Sequence, residues 1–384
     1  NTNSSFTRQE GAAVATDYIW ALSSHRAEDS HQVNQQAPER PATLDDLTEV
    51  TLAAEEAGFT NILVPTGTHC IDSWTTSSAI STRARKIKFL VAFRPGLTGP
   101  VYAAQQANSL DHLTGGRVAL NVVTGSTPVD QQRYGDHLAH GERYGRTAEF
   151  LEVVRMLWET DGAVDFKGRY YVIVGASIFP ARVTKPNPPL FLAGSSDAGK
   201  RVAWKHADVH MMYAAEPEVI AKDIEEGRRE SAKYDRKRPL TYGIRHLVCV
   251  RETKEEARRA AESLIDQGAL DNTGTWADMK LRTESVDQQR VNEMASRGNL
   301  WLTDTIWMGV NQVRAGAGTM FVGTPEMVAD VIRQYHQAGV THFIMNGWPH
   351  KEEAEIFGRE VLPLLKDTDP AVLPEPAGAA SGGS

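Results

Sequence analysis

The residues best suited to chemistry are two arginines in apolar or glycine-rich settings, a Gly-Ser-Ser-Asp turn, and a polar pair closing an apolar run. Arg245 stands in TYGIRHLV and Arg314 in QVRAGAGT. A guanidinium stays charged at any working pH and binds a tetrahedral oxyanion through two parallel hydrogen bonds. Burying one without a partner is costly, so an arginine on an apolar strand implies an ion pair or an anionic ligand. For Arg314 a salt bridge fixing a long insertion is an equal alternative. Gly194-Ser195-Ser196-Asp197 follows the apolar run PPLFLA and opens a helical segment, AGKRVAWKHA. Unpaired N–H groups at a helix start, serine hydroxyls and the space left by glycine favour a phosphate monoester. The same residues also make an ordinary helix cap. Asn121 and Thr124 close the run ALNVVTG, a polar end that would face a barrel mouth or simply turn the chain.

Three other groups carry less. His137, His140 and Glu142, in DHLAHGERY, have metal-like spacing, but a zinc enzyme needs three ligands and partners that orient them, so no metal is assigned. Gly316-Ala317-Gly318 with Gly323 is not a dinucleotide fingerprint, because the position that must be glycine is Phe321. Cys70, in VPTGTHCIDSW, reads as a small buried hydrophobe rather than a nucleophile.

Short β-branched or aromatic runs alternate with longer amphipathic stretches, which predicts βα units around a parallel sheet. Strands are expected at 17–22, 61–64, 87–92, 118–122, 190–193, 209–213, 240–248 and 342–345, and helices at 44–57, 103–113, 147–159, 216–233, 254–266 and 325–338. Eight strands predict an α/β protein of the (β/α)8 TIM barrel class. A doubly wound sheet needs fewer strands and usually a glycine-rich first turn, which is absent. One barrel domain is expected over 17–366, with a β-rich insertion at 162–183 and a mobile lid at 267–313. Residues 1–16 read as a flexible start and 367–384, rich in Pro, Gly, Ala and Ser, as a disordered tail.

Composition bounds the partners. The 384 residues carry 41 Lys plus Arg against 49 Asp plus Glu, a net charge of −8 with both signs mixed, which argues against a polyanionic partner such as nucleic acid. No apolar run approaches the roughly 18 residues that span a bilayer, and the polar start has neither part of a signal peptide. With two cysteines, Cys70 and Cys249, no disulfide framework is expected and a reducing cytoplasm is the default. The missing initiator Met leaves room for a trimmed leader.

Longer strings carry a family resemblance. VPTG, RPGLTGP, LDHLTGGRVALNVVTGS, HGERYGRTAEF, GSSDA, VRETK, GAGT and PHKEEA occur, in order and near-matching spacing, within about Asp17 to Leu365. On these strings the chain resembles the alkanesulfonate monooxygenases of the bacterial luciferase-like flavoprotein superfamily. The resemblance implies reduced FMN as cofactor and O2 as co-substrate. It also implies a separate NAD(P)H:flavin reductase, which suits the missing dinucleotide fingerprint, and a homodimer or homotetramer. It places Asn121 and Thr124 against the flavin, and Tyr144, Gly194, Ser195 and Ser196 around the FMN phosphate. Cys70 carries over to the family cysteine after the second strand. Arg245 and Arg314 carry over to the arginines assigned to the sulfonate and the activated flavin, and His350 keeps its counterpart.

Three departures stand out. The family reads arginine, an apolar residue, then histidine, where this chain has Arg245, His246, Leu247. His246 stays a pocket candidate, although strand alternation sets it opposite Arg245 unless a bulge intervenes. Trp348 replaces a family tyrosine, and indole is no acid or base near neutral pH. Tyr213 replaces a family tryptophan. The implied reaction is oxidative C–S cleavage of an alkanesulfonate to aldehyde and sulfite, with Arg245, Arg314, His350 and Trp348 as catalytic candidates and Cys70, Tyr213 and His246 shaping the pocket. The departures leave open the same chemistry on a sulfone, an amine or a natural-product intermediate. A catalytically silent flavin-binding protein and a metal-dependent barrel hydrolase are the alternatives of other classes.

Overall fold

The computed structural model describes residues 15–24, 29–33, 39–125, 127–265, 283–296, 298, 300–314, 316 and 318–366. The expectations for 1–14, 267–282 and 367–384 lie outside these residues. In chain order the strands are β1 (Asp17–Ala21), β2 (Asn61–Val64), β3 (Lys88–Phe93), β4 (Val118–Val122), β5 (Val164–Lys167), β6 (Val172–Ala176), β7 (Leu190–Ala193), β8 (Val209–Tyr213), β9 (Thr241–Val250), β10 (Ile306–Trp307), β11 (Met320–Gly323) and β12 (His342–Asn346). Eight of them pair in parallel in the order β9-β12-β1-β2-β3-β4-β7-β8, and a β8–β9 pairing closes the ring. The fold is therefore the expected (β/α)8 barrel.

Both faces of each barrel strand are buried, which is why the strands read as continuous apolar runs rather than alternating ones. Ile19, Ala21, Leu63, Leu90, Ala119, Phe191, Met211 and Ile344 fill the interior. Their sequence neighbours Trp20, Ile62, Phe89, Leu120, Leu192, Met212 and Phe343 pack under the helices. Gly243 of β9 leaves room for this interior: a side chain there would run into Met211 and lie 2.9 Å from the His342 carbonyl oxygen.

The helices are α1 (Leu44–Ala57), α2 (Ser73–Ser81), α3 (Pro100–Thr114), α4 (Pro128–Arg133), α5 (His140–Glu159), α6 (Asp197–His206), α7 (Pro217–Ser231), α8 (Lys254–Ser263), α9 (Val286–Ser296), α10 (Pro325–Ala338) and α11 (His350–Ile356). Local sequence sets several of their ends. Thr43 and Thr253 cap α1 and α8 with reciprocal boxes to Asp46 and Glu256, and Gly58 and Gly339 close α1 and α10 in the left-handed conformation. Among the described residues no helix is long and apolar enough to cross a membrane.

Two features depart from a minimal barrel. β5 and β6 form an antiparallel hairpin between α5 and β7. β9 is longer than its neighbours: residues 241–245 pair with β8 and 243–247 with β12, while 247–250 pair with β11, which carries β10 antiparallel. The strand that closes the barrel thus also founds an outer ladder beside its mouth.

Candidate active site

The carboxyl ends of the strands surround a cavity lined by Leu63, Asn121, Ala193, Met211, Tyr213, Arg245 and Ile344, together with residues of the following loops and of 284–287. The structure brings Asn121, Thr124, Tyr144, Gly194, Ser195 and Ser196 together on this one cavity, although they come from two βα units, β4 to α5 and β7 to α6. Ser196 is the N-cap of α6, its hydroxyl accepting from the Gly199 N–H at 3.2 Å. Tyr144 lies against that helix start because positions 194 and 199 lack side chains: a Cβ at Gly194 would be 2.6 Å from the Tyr144 hydroxyl, and one at Gly199 2.9 Å. Burial pushes the Tyr144 phenol up to about 12, so it remains a hydrogen-bond donor. His210 of β8 holds the loop from below, its Nε2 3.1 Å from the Gly194 carbonyl oxygen.

Sequence reasoning missed the other side of this corner. His140 Nε2 is 3.3 Å from the Ser196 hydroxyl, and burial lowers the His140 pKa against the opposing pull of Glu284. The four-residue step from His140 to Tyr144 on α5 puts both on one helix face, a signal that the metal-spacing comparison with His137 obscured. Arg143, 2 % exposed, donates to the Leu138 carbonyl at 2.8 Å and to Glu284 at 2.5 Å, and Glu284 is also 3.5 Å from His140 Nδ1. A carboxylate therefore sits on the corner best built for a phosphate. Were this corner to take the phosphate that the sequence resemblance implies, the two anions would repel, and Glu284→Gln is then expected to tighten FMN binding about three- to tenfold at low ionic strength, the difference shrinking as salt is added. Fluorescence titration of FMN at two salt concentrations measures this, and weaker binding by the variant would show that Glu284 assists the cofactor instead.

Residues 284–287 are held over the cavity by the start of α9. The Tyr213 N–H donates to Asp287 at 3.4 Å, Asp287 pairs with Arg290 at 2.9 Å, and Arg290 reaches Asp223 of α7 at 3.4 Å. Gln288 accepts from the Gly316 N–H at 2.6 Å, which pulls the loop after Arg314 over Tyr213. A Cβ on Gly316 would be 3.5 Å from the Tyr213 hydroxyl. Burial raises the Tyr213 pKa, Asp287 adds to this, and the charges of Arg245 and Arg314 oppose it.

Arg94, at the end of β3, also lines the cavity. It is ion-paired with Asp130, which accepts from the Thr68 hydroxyl at 2.8 Å. Burial alone would raise the Asp130 pKa, but Arg94 and Thr68 hold it below the usual carboxylate range.

The remaining candidates separate. Arg245 reaches the cavity and donates to the carbonyl oxygen of His246 and to Asn346. His246 is not in the pocket. The β9 register runs without a bulge from Gly243 to Leu247, so alternation turns His246 outward, where it is fully buried and stacked on Phe321 with ring centres 4.1 Å apart. Trp348, 2 % exposed, packs with Leu247, Trp307, Val310 and Met320 and offers its ring to the Arg314 guanidinium at 5.4 Å. His350 stands behind the mouth, its Nδ1 3.2 Å from the Ala21 carbonyl oxygen. Arg314, Trp348, His350 and half-buried Cys70 all lie outside the cavity lining. No three His, Cys, Asp or Glu side chains among the described residues converge to hold a metal.

The α6 start and the Arg245 guanidinium thus share one mouth of a parallel barrel, the end at which barrel enzymes build their active sites. Residues 18–342 match the family model of luciferase-like monooxygenases, and the chain belongs to that family. Similar folds include EDTA monooxygenase from Chelativorans sp. BNC1, with 20% identity, 93% of this chain and 95% of that chain covered, and a TM-score of 0.73. Riboflavin lyase, solved with modified FMN and riboflavin, has 20% identity, 93% coverage of each chain and a TM-score of 0.74. DmoA from Hyphomicrobium sulfonivorans has 21% identity, with 92% of this chain and 88% of that chain covered and a TM-score of 0.72.

Proposed function

We propose that the protein is the oxygenase of a two-component system that uses reduced FMN and O2 to cleave the C–S bond of an alkanesulfonate, releasing an aldehyde and sulfite. A separate NAD(P)H:flavin reductase would supply the reduced cofactor, and the working form would be a homodimer or homotetramer. The observation that carries the reading is one cavity holding both a phosphate-type corner, at Gly194 to Ser196 with Tyr144, and the Arg245 guanidinium. The residues present fit FMN. The α6 start and its hydroxyls suit a phosphate dianion, Asn121 and Thr124 offer polar contacts, and Leu63, Met211 and Ile344 offer an apolar bed for an aromatic ring system. The riboflavin lyase of the same fold was solved with modified FMN, which supports this choice.

When bound, reduced FMN supplies two electrons to O2, so that one oxygen atom enters the carbon bearing the sulfonate and the other leaves as water. The protein's own part is binding, orientation and dryness. Arg245 binds the sulfonate oxygens, with Arg314 adding positive charge from behind Tyr213. The Tyr213 hydroxyl, kept protonated by burial, donates to an oxyanion beside it. Residues 284–287 line the mouth, where they would shield the bound reactants from water.

The test supplies FMN, NADH, O2 and an unrelated flavin reductase and measures sulfite across a panel of alkanesulfonates, with a no-enzyme control. Sulfite from at least one sulfonate is expected. Substrate-dependent O2 uptake without sulfite would move the chemistry to a sulfone, an amine or another small molecule. A yellow protein that binds oxidised FMN tightly and takes up no O2 would be a silent flavin binder.

A further inference from the structure

Arg245 does not reach the cavity as a lone side chain. One of its terminal nitrogens donates to the carbonyl oxygen of His246 and the other to the side-chain oxygen of Asn346. Asn346 ends β12, is 1 % exposed, and in register opposes Leu247, one layer nearer the mouth than the pair Ile344 and Arg245. Its nitrogen lies 3.3 Å from His350 Nε2. His350 Nδ1 is 3.2 Å from the Ala21 carbonyl oxygen, and the His350 N–H donates to Asp29 at 2.8 Å. Asp29 in turn pairs with Arg40 at 3.2 Å.

The donors and acceptors of this chain of contacts have one consistent arrangement. A guanidinium has only donors, so the oxygen of Asn346 must face Arg245 and its NH2 must face His350. His350 Nε2 must then accept, which puts the proton on Nδ1, where the Ala21 carbonyl is the acceptor. The fixed charge of Arg245 is thereby read through one amide into the tautomer of His350.

We infer that Asn346 is a positioning residue: it holds the Arg245 guanidinium at the barrel mouth and is itself held by the Nδ1–H tautomer of His350, which makes His350 a support for Arg245 rather than an acid or base of the reaction. The substrate-facing half of this inference rests on the proposed sulfonate function; the tautomer half does not. A buried amide bonded on both sides is rigid, and a guanidinium presented rigidly loses less freedom when it binds an oxyanion. An aspartate at 346 would be nearly isosteric but would put a carboxylate on Arg245, in competition with the substrate anion. It would also require a second proton on His350.

Two measurements test it. The first is the nitrogen NMR spectrum of histidine-labelled full-length protein, with His350 assigned by its loss in His350→Gln. An Nδ1–H tautomer is expected in the wild type, and a changed tautomer balance in Asn346→Ala. An Nε2–H tautomer in the wild type, or an identical spectrum in the variant, would overturn the inference. The second is anaerobic titration of octanesulfonate into protein loaded with reduced FMN. Asn346→Ala and Asn346→Asp are each expected to weaken octanesulfonate about tenfold or more, approaching Arg245→Ala, while the affinity for reduced FMN changes less than twofold. Both variants binding within twofold of wild type, where Arg245→Ala does not bind, would overturn the positioning role. If the wild type itself does not bind octanesulfonate, the sulfonate function fails and the NMR result alone decides the network. Asn346→Asp keeps the side-chain volume, so it answers the question if the alanine variant does not fold.

Discussion

Arg245→Ala is expected to cut kcat/KM for an anionic substrate by about 2 to 5 kcal/mol in transition-state terms, roughly thirty- to several-thousand-fold, with the affinity for reduced FMN changed less than twofold. The size follows from position. Arg245 lines the cavity from the middle of β9, with Gly243 before it and Leu247 after it on the same face, so it is the cation that this strand offers an anion entering the mouth. The split follows from geometry, because the phosphate corner is built on β7, α5 and α6 and draws nothing from β9. Arg245→Lys is expected to recover only part of the loss, since a compact ammonium lacks the planar fork whose two terminal nitrogens reach the His246 carbonyl and Asn346 separately. Steady-state kinetics alongside a flavin titration reads both effects. Wild-type turnover of a sulfonate by Arg245→Ala would remove this residue from the site.

Mild acid is expected to unfold the protein far more readily than its net charge implies. Burial pushes His206 and His246 down to about 3 and His336 down to about 4, helped at His206 by Lys205, Arg155 and Arg236 and at His246 by Arg245. An unfolded histidine titrates near 6.5, so below that the unfolded chain takes up protons that the folded one refuses. Stability from these groups is complete above about pH 6.5 and falls as the pH drops toward the folded values. At pH 5 each costs roughly 2 kcal/mol, partly offset by buried Glu353, whose carboxyl, raised to about 7, takes up its proton in the folded state over the same range. Urea denaturation at pH 7 and pH 5 measures this. His246→Leu should shrink the difference, and equal midpoints at the two pH values would sink the argument.

The barrel was legible because its strands are buried on both faces, so runs such as KFLVAF and LFLA stand out without alternation. The outer ladder was not. β10 has two residues and β11 four, and the pairing of β10 with β11 and of β11 with the far half of β9 depends on chain closure that no local pattern encodes. At the site, residue types that chemistry singles out, such as Arg245 and the glycine and serines at 194–196, could be picked out one by one. Glu284 and Asp287 could not, because an acid in a polar segment looks like any solvated residue until the fold sets it on Arg143 or Arg290. His246 shows the opposite case. The alternation of β9 already pointed it away from Arg245, and the structure follows that parity rather than the family's placement of a histidine.

The double life of β9 has an evolutionary consequence. The chain leaves the barrel at the end of this strand and, after α8 and α9, returns through β10 and β11 to pair with the same strand. Everything between departure and return is a cassette with both ends clamped to one ladder. Its length and composition can drift, or be exchanged between homologues, without altering the register of the eight closing strands. Residues 284–287, which line the cavity, belong to this cassette, so the lining can diversify through it while the eight closing strands stay as they are.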